Sequence, residues 1–134
     1  MEQRLKISSK TDSLHLVEKF VDDFSARCNM DHDVYGNVLI ATLEATNNAI
    51  THGNELNENK QVEIAFAMDD QKILLTVKDE GPGFDYNKIP DPTAPENVEN
   101  MSGRGVFLMT KLSDTIEFEE NGSFVKMTFF LLKK

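Results

Sequence analysis

Two stretches of alternating apolar and polar residues, Val62-Glu63-Ile64-Ala65-Phe66-Ala67-Met68 and Ile73-Leu74-Leu75-Thr76-Val77, are separated only by Asp69-Asp70-Gln71-Lys72. A second such pair, Thr115-Ile116-Glu117-Phe118-Glu119 and Phe124-Val125-Lys126-Met127-Thr128-Phe129, flanks Asn121-Gly122. Connections this short close antiparallel hairpins, because parallel strands need a long crossover. A further short strand is predicted at Arg4-Leu5-Lys6-Ile7-Ser8. Helices are predicted from a cap at Ser9 or Thr11 to about Cys28, from about Asp31 to His52, and from about Arg104 to Leu112. In the first helix Leu14, Val17, Phe20, Val21 and Phe24 recur at helical spacing, and Gly53 stands just past the end of the second. Helices and hairpins in this order, without a βαβ alternation, predict an α+β fold. It is a two-layer sandwich, with a mixed, mostly antiparallel sheet covered on one face by helices.

The chain of 134 residues suits a single domain spanning 1–134, and 40% apolar content supplies a core. Asp and Glu number 23 against 14 Lys and Arg, a net charge of −9. That balance argues against direct nucleic-acid binding and against docking on an anionic membrane, both of which need a basic face. Cys28 is the single cysteine, which excludes an intramolecular disulfide and a Cys-rich zinc site and fits a cytoplasmic setting. The start, Met1-Glu2-Gln3-Arg4-Leu5-Lys6, lacks the apolar stretch of a signal peptide. The run Phe129-Phe130-Leu131-Leu132 is too short to cross a bilayer.

On a wheel of the second helix, Val34, Val38, Ala45, Ala49, Thr42, Thr46 and their neighbours form an apolar or small half that should face the sheet. Asn37, Glu44, Asn48 and Thr51 gather opposite, with His52 at the margin. Glu44 and Asn48 are four apart, so their side chains are neighbours. One reading is a solvated helix face. The other is a paired site, in which a carboxylate and a carboxamide offer oxygen ligands to Mg²⁺ or a general base.

Two glycine clusters follow. Asp79-Glu80-Gly81-Pro82-Gly83 ends a strand. It is either an Asx-type turn or an acceptor for the amino group of a flat ligand. Ser102-Gly103-Arg104-Gly105 lies where a loop becomes a helix. It is either a hinge or a phosphate cradle made of free N–H groups and Arg104. From Glu80 to Gly103 no period holds, and all four prolines fall there. Loops of that length in compact domains are usually functional.

Taken together, the series Glu44-x-x-x-Asn48-Ala49-x-x-His52-Gly53, Asp79-Glu80-Gly81-x-Gly83 and Gly103-Arg104-Gly105 resembles the N, G1 and G2 boxes of the GHKL (Bergerat-fold) ATPases. Within that superfamily it looks most like the small serine kinases that act as anti-sigma factors, and the likeness covers nearly the whole chain. The resemblance implies ATP and Mg²⁺ as cofactors. It makes Asn48 the Mg²⁺ ligand, Glu44 the catalytic base, and Asp79 the reader of the adenine amino group. Gly81 and Gly83 form the adenine-side turn, Gly103, Arg104 and Gly105 wrap the phosphates, and about 85–102 is the ATP lid. It also implies a sigma factor and an anti-sigma factor antagonist as protein partners. A homodimer is implied too, with the first strand and helix as the natural contact surface; Phe20 or Phe24 is either a patch on it or, the reading favoured for residues of this type, part of the core. Two positions depart from the family pattern: Met101 stands where some relatives carry arginine, and Gly122-Ser123 where many carry Gly-Thr. A non-catalytic, nucleotide-gated binding module is the alternative. A histidine kinase is a poorer fit, because there is no room for a dimerisation helix pair and His15 is the only candidate acceptor.

Overall fold

The computed structural model describes residues 2–81 and 101–131, and at 101–104 and 121 the main chain alone. Glycine Gly83 and the lid stretch 85–100 lie outside the described residues. Strand β1 (Glu2–Ser8) leads through one 3-10 turn (Thr11–Ser13) into helix α1 (Leu14–Cys28). Helix α2 (His32–Asn48) widens into a single π-type turn (Ala49–Gly53) before strands β2 (Gln61–Met68) and β3 (Lys72–Lys78). Helix α3 (Met101–Leu112) precedes strands β4 (Thr115–Glu119) and β5 (Phe124–Phe130).

The strands form one five-stranded sheet in the order β1-β2-β3-β5-β4. Among the described residues every pairing is antiparallel, so the mostly antiparallel character holds and no parallel pair makes the sheet mixed. The reason is topological. Strands β3 and β4 run the same way, but β5 folds back between them, and no parallel pair forms. The β2–β3 turn is held by Asp69, whose carboxylate accepts the N–H groups of Gln71 and Lys72 at 2.8 and 2.9 Å. These bonds favour the charged form and hold the Asp69 pKa below its usual value. The β4–β5 connection is not the two-residue turn that Asn121-Gly122 suggests. It takes residues 120–123, with left-handed φ at Glu120 (52°) and Gly122 (94°).

Alternation gives the sheet one apolar face. Val62, Ile64, Phe66, Ile73, Leu75, Val77, Val125, Met127 and Phe129 are all buried on it. Helix α1 covers this face through Val17, Val21 and Phe24. The rings of Phe24 and Phe20 stack on Phe66 with centroids 4.5 and 5.4 Å apart, a favoured aromatic separation. Of the two readings of Phe20 and Phe24, contact patch or core, the core reading holds: Phe24 is fully buried and Phe20 packs against the core. The opposite sheet face carries exposed charges such as Arg4, paired with Glu2 and Glu63. Pairs of this kind add little stability.

Helix α2 buries Val34, Val38, Ala41, Thr42, Ala45 and Thr46, close to the predicted half. The two threonines remain satisfied inside the core by donating to the carbonyls of Val38 and Thr42. Two start signals are corrected. Neither Ser9 nor Thr11 caps a helix with its side chain, because Ser9 is buried and donates its hydroxyl to Lys60 O at 2.7 Å. Helix α3 begins at Met101 rather than about Arg104, which places Gly103 and Arg104 inside its first turn.

Candidate functional site

The polar stripe on α2 is not a solvated face along its length, because α3 packs beside it. Glu44 and Asn48 are half-buried. A Cβ built on Gly105 would lie 3.2 Å from Glu44 Oε2, so the bare glycine lets the helices close on that carboxylate. Asn37, grouped with them on the wheel, lies instead by Lys111 and Asp114 at the other end of α3. His52 is exposed on the π-type turn.

That turn sets the rest of the geometry. Its carbonyls are taken up at longer spacing, with Asn54 N–H donating to Ala49 O at 2.8 Å. One extra residue in the turn swings Gly53 beneath β3, where it meets Asp79. A Cβ on Gly53 would sit 2.3 Å from Asp79 Oδ2, and a Cβ on Gly81 would sit 1.7 Å from Gly53 O. Gly53 is thus not the left-handed helix stop that its position suggests. It is bare because a carboxylate occupies the space a side chain would fill.

Asp79 is 7% exposed. Its N–H donates to Ser123 O at 2.9 Å, which fixes it to the β4–β5 connection. Its Oδ1 accepts the Gly81 N–H at 2.8 Å. Burial raises its pKa above the usual carboxylate value, against the opposing pull of the Gly81 N–H and the Lys60 charge. Ser123 keeps its hydroxyl turned inward, donating to Glu120 O at 2.9 Å.

Asn48 and Asp79 open onto one pocket, walled by Ala49, Val77, Met109 and Val125 and closed by Ser123. A buried carboxylate set among apolar walls suits a flat ligand edge that brings an N–H donor. The N–H groups of residues 101–104 open α3, and helix geometry leaves the first four N–H groups without an intrahelical partner, a place that favours anions. The side chain of Arg104 lies outside the described residues, as does Gly83. Among the described residues no group of three or more His, Cys, Asp or Glu is arranged to hold a metal ion.

One residue that the sequence reading passes over is Asn54, 1% exposed beside this site. Its only sequence signal is a polar residue directly after Gly53, which reads equally well as a loop.

The same substitution has opposite expected signs at two glycines. Gly81→Ala drives a methyl into backbone and is expected to cost about 1–3 kcal/mol or more. Gly36→Ala, in α2 with nothing within 4 Å of the new Cβ, is expected to stabilise by roughly 0.5–1 kcal/mol. Thermal unfolding of both variants checks this, and equal shifts contradict the close approach at Gly81.

Residues 7–129 match the histidine kinase-like ATPase domain family, and the chain belongs to it. It is 25% identical to the serine-protein kinase RsbW of Staphylococcus aureus strains JH9 and Newman, over 97% of this chain and 87% of theirs. Its fold is similar to the crystal structure of the RsbU and RsbW domains of Rv1364c from Mycobacterium tuberculosis, with a TM-score of 0.65 at 15% identity. That match covers 97% of this chain and 32% of the other, so the chain spans about a third of the length of that two-domain chain.

Proposed function

We propose that this chain is a Mg²⁺- and ATP-dependent serine/threonine protein kinase that also serves as an anti-sigma factor. It would phosphorylate a serine on an anti-sigma factor antagonist. The observation that carries the reading is the convergence of buried Asp79 and half-buried Asn48 on one apolar-walled pocket, with Glu44 a turn away on α2. Similarity to the RsbW serine-protein kinases supports the choice of reaction.

In this reading Asp79 accepts the adenine amino group, while Gly81 holds its carboxylate and Gly83 continues the turn. Asn48 would offer its side-chain oxygen to Mg²⁺, an ion that takes oxygen ligands and would help neutralise the phosphates. The N–H groups opening α3, with Gly103, Arg104 and Gly105, would neutralise the phosphates; of the lid expected at about 85–102, Met101 and Ser102 belong to α3, and 85–100 would close over the phosphates. Glu44 accepts the proton of the attacking serine hydroxyl. Transfer of this kind rests on positioning and on electrostatic stabilisation of a loose transition state. We further propose one domain over 1–134, a homodimer and a cytoplasmic location. Among the described residues no helix is long and apolar enough to cross a membrane.

Incubation with γ-labelled ATP and small candidate antagonist proteins tests the reaction. A labelled serine on the antagonist is expected. Tight ATP binding without transfer to any serine would instead mark a nucleotide-gated binding module.

A further inference from the structure

Asn54 ties three separated stretches together. Its Nδ2 donates to Ser9 Oγ at 2.7 Å, at the β1–α1 junction, and to Gln61 O at 3.0 Å, at the start of β2. Its Oδ1 accepts the Glu80 N–H at 2.7 Å, in the turn that carries Asp79. The amide has one workable orientation. Oδ1 faces an N–H, while Nδ2 faces a carbonyl and a hydroxyl whose own proton goes to Lys60 O. Every donor and acceptor of the side chain is used, in a place closed to water. Glu80 returns a bond from the other side, its carboxylate accepting the Gln61 N–H. Residues 79–81 are thus clamped between Asn54 and Gly53, while Asn54 itself does not line the pocket.

We propose that Asn54 is the positioning residue for purine recognition, holding the Asp79–Gly81 turn where the Asp79 carboxylate meets the base edge. This rests on the assignment of Asp79 to the adenine amino group. Removing the carboxamide takes from the part-buried Glu80 N–H the acceptor that pins the turn to Asn54, so the turn is released to find another. Asp79 then shifts relative to the base, while the phosphate end of the site is left in place.

The test compares ATP with inosine triphosphate, which has an oxygen where ATP has the amino group. Both are titrated by calorimetry in the presence of Mg²⁺. Wild type is expected to prefer ATP by about 10–100-fold. Asn54→Ala is expected to lose most of that preference, with the inosine nucleotide binding as before. A strut needed only for folding would weaken both nucleotides together, and that result, or an intact preference, overturns the inference. If Asn54→Ala does not fold, Ser9→Ala decides the matter, since it removes one anchor of Nδ2 and leaves Gln61 O. A reduced preference there supports the inference, and a full preference overturns it. A wild type that binds both nucleotides equally overturns the assignment of Asp79 itself, and this inference falls with it.

Discussion

Replacing Glu44 by glutamine is expected to cut serine phosphorylation by about 10²–10⁴-fold, the usual contribution of a positioned general base. The substitution keeps size and shape and removes only the ability to take a proton. The side chain lies on α2 against Gly105, apart from the Asp79 end of the pocket, so ATP affinity should be retained. The two readouts separate the roles. Transfer of labelled phosphate to the antagonist should collapse while the ATP dissociation constant stays near that of wild type. Normal transfer by Glu44→Gln would place the base elsewhere. Joint loss of binding and transfer would make Glu44 part of the nucleotide site instead.

Asp79→Asn is expected to weaken ATP binding and to stabilise the nucleotide-free protein. The affinity loss follows from replacing a charged acceptor with a neutral one, at about 1.5–3 kcal/mol, or roughly 10–150-fold. The stability gain follows from burial. A carboxyl that is harder to ionise in the folded protein than in the unfolded chain binds its proton more readily when native. Its contribution to stability is therefore present below the unfolded pKa and is lost as pH rises through the raised native value. The variant has no such loss. Its advantage in melting temperature should be absent near the ordinary carboxylate pKa of about 4 and should grow with pH through the native value. In wild type, ATP affinity should fall as acid protonates Asp79 in the same window. A variant that is less stable than wild type at neutral pH would show that the carboxylate is better satisfied than its burial indicates.

The sheet was readable because alternation is local. The predicted segments of both hairpins reappear with at most a residue or two added at their ends. The buried face of α2 was readable for the same reason, since Val34, Val38, Thr42, Ala45 and Thr46 keep helical spacing. What was hidden depends on contacts between distant segments. Gly53 reads as a helix stop, but its reason for being glycine is the Asp79 carboxylate brought up by β3. Ser9 reads as a cap and is a buried bridge to Lys60, and Asn54 reads as a loop residue and is the centre of the clamp. Phe20 and Phe24 could be placed at helical spacing, yet only the stack on Phe66 shows that both serve the core. The motifs that hold Asn48 and Asp79 were legible as residue types at a spacing. Their convergence was not, because it requires the π-type turn and the fold-back of β5 that delivers Ser123 to Asp79.

The central claim is that Asn48 and Asp79 define one Mg²⁺-dependent ATP site, and calorimetric titration with ATP tests it most directly. Wild type and Asn48→Ala would be compared side by side, with and without Mg²⁺. The account predicts binding by wild type only when Mg²⁺ is present, and loss of that binding in the variant. A wild type that fails to bind ATP in the presence of Mg²⁺ would contradict it, leaving the glycine clusters as structural turns and the kinase assignment without a nucleotide site.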